Sequence, residues 1–372
     1  MAVLEVEQFP SAVRTEAATT RVAEDQMVYV KVVRALAMCV IVTLHVAFPL
    51  IYLYNSASYD NWWIATMFYA WGKVGSPLFT MVSGLLLLNP AKDQPIPVFF
   101  KKRFMKVLLP FIAWVFIYLL WRILFYNEML SLHDILVAAV QGPMYYHLWF
   151  IQMILGLYLA TPILRIYIRH ASRSNLTYFL SVWFIANSVL PIFQRFTGIE
   201  VGIDIVVTSN YVGYFVLGHY LRDATIQRKH ILPLMMAIVA ALVFTQVATL
   251  KMTEELQGTF DNFFLLHESF NLVVIAVCAF LLLKSLNYNM IFSRMPFLNR
   301  GMLLISNNSL GIYFIHVMFI DLLASGRLGF VLSASSWHPL FAIPLVAIIA
   351  LVASIISVTV MKKVPVLRNI VP

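Results

Sequence analysis

The sequence predicts an all-α fold: a polytopic membrane helix bundle with about ten transmembrane helices and both termini in the cytoplasm. Composition is the first observation, because 61% of the 372 residues are hydrophobic and only 12% are charged, whereas soluble domains carry roughly 25% charged residues. The second is that apolar stretches follow one another along the whole chain, each near the ~20 residues that span a bilayer. The third is a clustering of basic residues in alternate joints between these stretches.

Ten apolar segments are candidate spans, and each is expected to be a helix because lipid offers no partner to an unpaired backbone amide. They cover about 28–54, 63–89, 104–126, 146–168, 176–194, 203–222, 231–250, 263–286, 302–324 and 337–361. Residues typical of helix ends stand in several joints, as in Asn89-Pro90, Gly142-Pro143 and Gly326.

The spans divide the chain into a polar N-terminal tail (1–27), a membrane domain (28–362) and a short C-terminal tail (363–372). Both tails are predicted to be cytoplasmic. The N-terminal tail lacks the basic-then-apolar pattern of a signal peptide, so the first span is expected to remain in the mature protein.

The basic residues predict the orientation of the bundle. Alternate joints hold clusters, whose members are Lys92, Lys101, Lys102, Arg103, Lys106, Arg165, Arg169, Arg173, Arg222, Arg228, Lys229, Lys284, Arg294, Arg300, Lys362, Lys363 and Arg368. The intervening joints hold only Arg195, Lys251 and Arg327. Because cytoplasmic joints carry the excess of Lys and Arg, the clusters predict cytoplasmic termini and cytoplasmic even-numbered joints. The net charge of +9 is therefore a topology signal, and we predict no nucleic-acid partner.

The first span contains Arg34 and, eleven positions later, His45. Eleven residues turn a helix by about 1100°, only ~20° past three full turns, and rise about 16 Å. Both side chains therefore lie on one face, with Arg34 near the cytoplasmic headgroups and His45 beyond the midplane. Ionisable residues inside spans usually face a cavity or a partner. Alternatively, Arg34 extends to anionic membrane lipids, and His45 is satisfied by another helix.

Two further spans carry polar residues at positions that a purely apolar helix does not explain. Lys73 lies near the middle of the second span, where an unpaired ammonium is unfavourable, and no acidic residue of a span is an obvious partner for an ion pair. His147 and Trp149 open the fourth span at the outer rim. An interfacial aromatic belt is the alternative explanation of Trp149.

The ninth span carries a second histidine, His316, at about the depth of His45, with Tyr313 one turn below it. The stretch Ser306–Ser309 is interpreted as capping the start of this helix. His316 and Asp321 also match a short H-x-x-x-x-D string. Five residues leave two side chains about 140° apart on a helix, so we interpret this match as coincidence.

Signatures of metal sites and of the common hydrolases are absent from the sequence. It contains no H-E-x-x-H, no G-x-S-x-G and no P-loop. Its two cysteines, Cys39 and Cys278, lie in separate apolar spans and are interpreted as small buried hydrophobes. We therefore predict no metal ligands.

Several phrases of the sequence, taken in order over about 28–362, resemble the acyltransferase 3 family of integral membrane acyltransferases. The most specific is an arginine followed by ten residues and a histidine, here Arg34 to His45. It is accompanied by GSPLFTMVSGLLLL in the second span, KKRFMKVLLPF before the third, HLWFIQMILGLYLATPIL in the fourth, GYFVLGHYL in the sixth and SLGIYFIH in the ninth. The fourth-span and ninth-span phrases are most similar to the enterobacterial common antigen O-acetyltransferase type.

The resemblance implies acyl transfer in the inner (cytoplasmic) membrane of a bacterium. It implies acetyl-CoA as the donor substrate, no permanently bound cofactor, and a glycan or lipid-linked saccharide as the acceptor. It also implies that His45 is the reacting histidine and Arg34 its catalytic companion. The basic pair before the third span departs from the family's usual arginine-x-x-arginine, since Lys106 follows Arg103. A lysine keeps the charge but loses the bidentate fork.

The chemistry of such a transfer assigns roles to the remaining residues. A histidine can remove the proton of a sugar hydroxyl as it attacks a thioester, or it can accept the acetyl group itself; the sequence leaves both routes open. The phosphates of coenzyme A require cations, so we predict donor contacts from Arg34, Arg103, Lys106 and Lys73. For the acceptor we predict contacts from His147, Trp149, Tyr313 and His316.

Two other classes of function remain open on the sequence. A transporter or flippase of a glycan precursor would use His45, Lys73 and His316 as a proton relay, although we find no repeated half with matching broken helices. A non-enzymatic assembly partner would use the polar face only to dock another subunit. A proton-gradient requirement without dependence on coenzyme A would favour the first class, and normal acylation by a correctly inserted His45 variant would favour the second.

Overall fold

The computed structural model describes residues 11–90, 94–131, 133–135, 137, 143–203 and 211–372, with side chains from residue 28 onward. In this part of the chain every regular element is a helix, which confirms the predicted all-α fold. Lys92 and Gly142 of the predicted joints lie outside the described residues, as do residues 204–210 of the sixth predicted span and the first ten residues of the N-terminal tail.

Fourteen α-helices have both ends within the described ranges. They are α1 Ser11–Ile51, α2 Tyr59–Gly72, α3 Gly75–Leu87, α4 Ile96–Arg103, α5 Leu109–Tyr126, α6 Trp149–His170, α7 Arg173–Phe184, α8 Leu190–Thr197, α9 Tyr211–Tyr220, α10 Arg228–Glu255, α11 Phe270–Ser285, α12 Tyr288–Arg294, α13 Pro296–Ala324 and α14 Pro339–Met361. Single π-helical turns connect α4 to α5 and α7 to α8, so each of these pairs forms one long helix.

Eight helical stretches of the described chain are long and apolar enough to cross a membrane. They are Val28–Ile51, Ile96–Tyr126, Tyr146–His170, Arg173–Thr197, Arg228–Glu255, Phe263–Ser285, Pro296–Ala324 and Pro339–Met361. The protein is therefore a multi-pass membrane helix bundle, as predicted. Of the other two predicted spans, the sixth is described only as α9, and the second is divided between α2 and α3. The total of ten crossings and the cytoplasmic side of the termini stay predictions.

The division of the second predicted span, 63–89, falls at Lys73 and Val74. Both residues keep right-handed helical backbone angles. The interruption is therefore a local change in hydrogen bonding within a helical path, and it interrupts the span beside its only lysine.

Two glycines flank the interruption and let α2 and α3 approach α1. A Cβ atom at Gly72 would lie 2.7 Å from the carbonyl oxygen of Val40, and one at Gly75 would lie 2.8 Å from that of Ala37. Small residues permit such close approach between membrane helices. Because the glycines stand on both sides of Lys73, they hold this lysine against α1.

Helix α1 lies at the centre of the bundle, in contact with α2, α3, α11, α13 and α14. In the apolar window of Val28–Ile51, 61% of the residues are buried inside the protein, whereas the share is 17% in Arg228–Glu255. The polar side chains of α1 therefore lie in protein surroundings, while α10 directs most of its surface outward.

The basic pair at the start of the third predicted span, Arg103 and Lys106, lies at a widened π-helical turn, Phe104–Leu108. The turn precedes Pro110, and a proline ring clashes with the carbonyl group four residues earlier in a regular α-helix. An inserted π turn relieves that clash and is frequent at functional sites. Arg103 directly precedes this turn and Lys106 lies within it, so its geometry decides where both cations point.

The helix of the ninth predicted span starts earlier than the sequence indicated. α13 begins at Pro296, in agreement with the preference of proline for the first turn of a helix. The stretch Ser306–Ser309 therefore lies inside α13, and the expectation that it caps the helix start is wrong.

Candidate active site

Two cavities inside the bundle are both lined by Tyr313. The His45 cavity, of about 340 Å³, is lined by polar residues that include His45, Lys73, Ser76, Trp149, His267 and Tyr313. The Arg34 cavity, of about 610 Å³, is lined by residues that include Arg34, Arg103, Lys106, Tyr158, Ser309 and Tyr313. Arg34 and His45 both stand on α1. The helix face predicted to carry both residues thus contributes Arg34 to one cavity and His45 to the other, about 16 Å apart along the helix.

Aromatic rings form much of the wall of the His45 cavity. The ring of Tyr146 lies 5.4 Å from that of His45 and stacks on Phe48 at 5.5 Å, measured between ring centroids. The ring of Trp149 lies 5.1 Å from that of His267. Tyr146 retains 38% of its surface exposed, so the wall reaches from the buried histidine to the protein surface.

His45 is connected to α13 through a chain of two hydrogen bonds. Its Nδ1 lies 2.8 Å from Nε2 of His316, and Nδ1 of His316 lies 3.0 Å from the carbonyl oxygen of Ile312. Because a carbonyl group only accepts, His316 donates from Nδ1, and a neutral His316 then accepts at Nε2. His45 therefore donates from Nδ1 and retains the lone pair of its own Nε2.

The two ring nitrogens of His45 therefore differ, because Nδ1 is hydrogen-bonded to His316 and Nε2 is not. His316 is fully buried, and a charged ring in that position would be unfavourable within a membrane, which supports the neutral form. The alternative interpretation, in which another helix satisfies His45, holds for Nδ1 only. Nε2 remains for a molecule in the cavity, since His45 lines its wall.

A third histidine, His147, lies behind the other two. Its ring centroid is 6.1 Å from that of His45 and 5.4 Å from that of His316, and its two ring nitrogens are buried with no hydrogen-bond partner among the described residues. Its backbone carbonyl accepts a hydrogen bond from the hydroxyl of Tyr313. The three histidine rings pack against one another, and within the described residues no histidine, cysteine or carboxylate group forms a metal-binding set.

The Arg34 cavity brings together three of the four cations predicted to contact the donor. Arg34 donates from Nη2 to Oγ of Ser309 at 2.7 Å, so it contacts α13. The guanidinium of Arg103 lies 5.4 Å from the ring centroid of Tyr158, and its Nε is buried with no hydrogen-bond partner among the described residues. Lys106 lines the same cavity and is exposed. Three positive charges therefore converge on one space.

The same pair of helices supports both cavities. Ser309 and His316 are seven residues apart on α13, about 20° short of two turns, so they share a face as Arg34 and His45 do on α1. The contacts of Arg34 with Ser309 and of His45 with His316 require the two helices to run parallel. Two odd-numbered spans would run in this way.

One side of the Arg34 cavity is closed by residues after α14. The carbonyl oxygen of Ile370 accepts a hydrogen bond of 2.8 Å from Nε1 of Trp114, and Val371 is fully buried. Pro372 contributes to the cavity wall. The segment that the sequence assigned to a short C-terminal tail thus packs against the bundle.

The structure separates Lys73 from the other predicted donor contacts. Lys73 lines the His45 cavity, whereas Arg34, Arg103 and Lys106 line the Arg34 cavity. The grouping of these four cations in one site is therefore not observed. The cause is the close approach of α2 and α3 to α1, which positions Lys73 near the turn that carries His45.

The residues predicted to contact the acceptor also divide into two groups. Trp149 and Tyr313 line the His45 cavity, but His147 and His316 do not and instead pack behind His45. Asp321 is not paired with His316, because it accepts a hydrogen bond of 2.6 Å from Tyr145. The H-x-x-x-x-D string is thus a coincidence, as predicted.

Sequence analysis missed several lining residues of the two cavities. They include Tyr69, Ser76, Tyr146, Tyr158, His267 and Ser309. His267 carried a usable signal, since it is a histidine inside the eighth predicted span, 263–286. Tyrosines and serines are too common in membrane helices to be selected without knowledge of the packing.

Comparison with known proteins gives one match. The model of the acyltransferase 3 family, described as an acyltransferase domain, matches residues 27–359. No curated protein and no solved structure matches the chain. The match identifies the family. It does not identify the enterobacterial common antigen O-acetyltransferase type, which stays a prediction.

Proposed function

The chain belongs to the acyltransferase 3 family and is a membrane acyltransferase, and from this premise we propose that it moves an acetyl group from acetyl-CoA to a hydroxyl of a cell-surface or lipid-linked polysaccharide. The family membership selects this class over a transporter or an assembly partner. We further propose that the protein works in the inner membrane of a bacterium, in line with the resemblance of its fourth-span and ninth-span phrases.

The observation that supports this proposal is the pair of cavities that share the wall residue Tyr313. One cavity collects the cations Arg34, Arg103 and Lys106, and the other holds the reactive nitrogen of His45. Acetyl-CoA has the matching polarity, with phosphates at one end and a thioester at the end of a thin, flexible arm. The ~16 Å between Arg34 and His45 along α1 is of the order that such an arm spans.

In the proposed complex the phosphates of the donor occupy the Arg34 cavity. Guanidinium groups bind phosphate oxygens through charge-assisted hydrogen bonds, and Arg103 has a buried donor, Nε, without a partner among the described residues. Ser309 already orients Arg34, so little side-chain freedom is lost on binding. The arm would pass Tyr313 and bring the thioester to His45.

The transfer then follows from the free Nε2 of His45. The acceptor hydroxyl gives its proton to Nε2 as its oxygen attacks the thioester carbonyl carbon. The carbon–sulfur bond breaks, and the thiolate of coenzyme A takes the proton back from the imidazolium. His316 acts as a positioning residue, because it holds Nδ1–H of His45 and thereby keeps Nε2 unprotonated. The products are an O-acetyl ester and free coenzyme A.

The same nitrogen could instead accept the acetyl group before passing it to the acceptor. Kinetics separate the two routes, since an acetyl-histidine intermediate gives ping-pong behaviour and direct attack requires both substrates together. We favour direct attack, because the two cavities offer separate spaces in which donor and acceptor can be held at the same time.

The test is an acetyl-transfer assay that controls the side of the membrane on which each substrate is supplied. Proteoliposomes of known orientation receive radiolabelled acetyl-CoA in one compartment and a membrane-impermeant glycan in the other, and the label is traced to the glycan. We expect transfer with the donor on the cytoplasmic side and the acceptor on the outer side. Transfer only when both reagents share the cytoplasmic side would overturn the through-membrane route. If no glycan receives label from acetyl-CoA, the proposal of acetyl transfer is wrong.

A further inference from the structure

We propose that the acceptor saccharide carries an anionic group, a carboxylate or a phosphate, that pairs with the ammonium of Lys73 in the His45 cavity. This inference rests on the proposed function, because it concerns the acceptor of the same transfer. It narrows the acceptor from any hydroxylated glycan to one with a negative charge near its reacting hydroxyl.

The wall of the His45 cavity has a positive charge and no negative one. Lys73 belongs to this wall, and none of the described lining residues is an aspartate or a glutamate. Its Nζ makes a cation–π contact, 5.4 Å from the ring centroid of Tyr69, and Glu268 attracts its charge from outside the cavity lining. Glu268 follows His267 in the sequence but does not line the cavity, and within the described residues no carboxylate forms an ion pair with Lys73.

The ammonium of Lys73 has an attracting carboxylate outside the cavity and no anionic partner among the described residues that line it. A cation within a membrane span is unfavourable unless it is paired or faces water, and the cation–π contact with Tyr69 is worth only about 0.5–2 kcal/mol. A ligand that brings its own negative charge would therefore gain a charge-assisted hydrogen bond that the protein does not make by itself.

Ser76, in the first turn of α3, lines the same wall. The backbone continues helically from α2 through Lys73 and Val74 into α3, so the positive potential at this wall comes from the ammonium of Lys73.

The donor does not account for Lys73. The phosphates of acetyl-CoA have their cations in the Arg34 cavity, on the other side of Tyr313 from Lys73. Lys73 instead shares its cavity with His45 and with the aromatic ring of Trp149. A saccharide held by its anionic group on Lys73 and by a sugar face on Trp149 would be fixed at two points, with a hydroxyl directed to His45.

The experiment compares acceptors that differ in the group at C6, which is charged in two of the three, with the full chain in proteoliposomes. The probes are the methyl glycosides of glucuronic acid and of glucose, together with the methyl glycoside of glucose 6-phosphate. We expect the wild type to favour a charged probe over the neutral one by about tenfold in kcat/KM, the value of one charge-assisted hydrogen bond. Lys73→Met should reduce this preference to near one, and Lys73→Arg should retain most of it. The charged probe with the higher kcat/KM indicates whether the anionic group of the acceptor is a carboxylate or a phosphate.

Two controls make the outcome specific. Lys251→Met removes an exposed lysine outside both cavities and should leave the preference unchanged, and thermal melting of each detergent-solubilised variant reports folding. Binding of the three probes is also measured by calorimetry, without donor. A Lys73-dependent preference in binding with no transfer would count against the proposed function alone. Equal binding of charged and neutral probes, or equal loss of transfer with all three in Lys73→Met, would overturn the inference.

Discussion

The two cavities on either side of Tyr313 differ in how they handle charge. The Arg34 cavity is the larger, at about 610 Å³, and gathers cations from α1, the end of α4 and the following π turn, with Lys106 exposed. The His45 cavity, at about 340 Å³, is lined mainly by aromatic rings and has a buried imidazole. The difference underlies the proposed division of labour, in which the wide cationic space binds the phosphates of the donor and the narrow aromatic one holds the acceptor at His45.

The division of labour predicts its largest effect at His45. His45→Ala should lower kcat for acetyl transfer by at least about hundredfold, since a general base contributes 10²–10⁴, with normal membrane insertion. The matched control, His170→Ala, removes an exposed histidine at the end of α6 and should transfer normally. Radiolabelled transfer by purified protein measures both. More than about a tenth of wild-type activity in His45→Ala would refute the role of Nε2.

The second effect concerns the partner of His45 on α13. His316→Leu should lower kcat by about tenfold to hundredfold, as loss of an orienting partner does elsewhere, because Nδ1–H of His45 would lose its acceptor. His316→Gln should be milder, since its side-chain oxygen can accept that hydrogen bond. The pH profile of kcat distinguishes positioning from packing: it should move in the Leu variant and stay near wild type in the Gln variant. Identical profiles would leave His316 a packing residue.

The third effect should appear in the Arg34 cavity, and in a different parameter. Arg34→Gln and Arg103→Gln should raise the KM for acetyl-CoA by about tenfold, because each removes a charge-assisted hydrogen bond to phosphate. Neither should change the KM for the acceptor. The control is Arg169→Gln, which removes an arginine from the last turn of α6 that does not line the Arg34 cavity. A larger change in acceptor KM than in donor KM would erase the distinction between the two cavities.

The smallest effect is expected at Lys106. An exposed cation contributes little because water screens it, so Lys106→Gln should raise the KM for acetyl-CoA by only roughly two- to fivefold. Lys106→Arg should be the mildest change of all and could lower this KM, since it restores the bidentate fork of an arginine. A titration of initial rates against acetyl-CoA measures both. A tenfold or larger increase for Lys106→Arg would show that the site is shaped for an amine.

Local regularities of the sequence were sufficient for much of the fold and part of the site. Apolar segments predicted ten helical spans, because a backbone in lipid must satisfy its own hydrogen bonds, and eight of them coincide with long apolar helices of the described chain. The helical repeat placed Arg34 and His45 on one face, and the cationic pair Arg103 and Lys106 was found from charge alone. Each of these inferences depends on residues within a few turns of one another.

The tertiary structure decided which distant residues complete each cavity. His45 meets His316 across 271 positions and Arg34 meets Ser309 across 275, and no local pattern encodes such pairings. Lys73 lines a different cavity from the other cations predicted to contact the donor for the same reason: net charge could not reveal that glycines on either side pack this lysine against α1. Periodicity along one helix is a property of the chain, whereas the partner of each face is chosen by how the helices pack together.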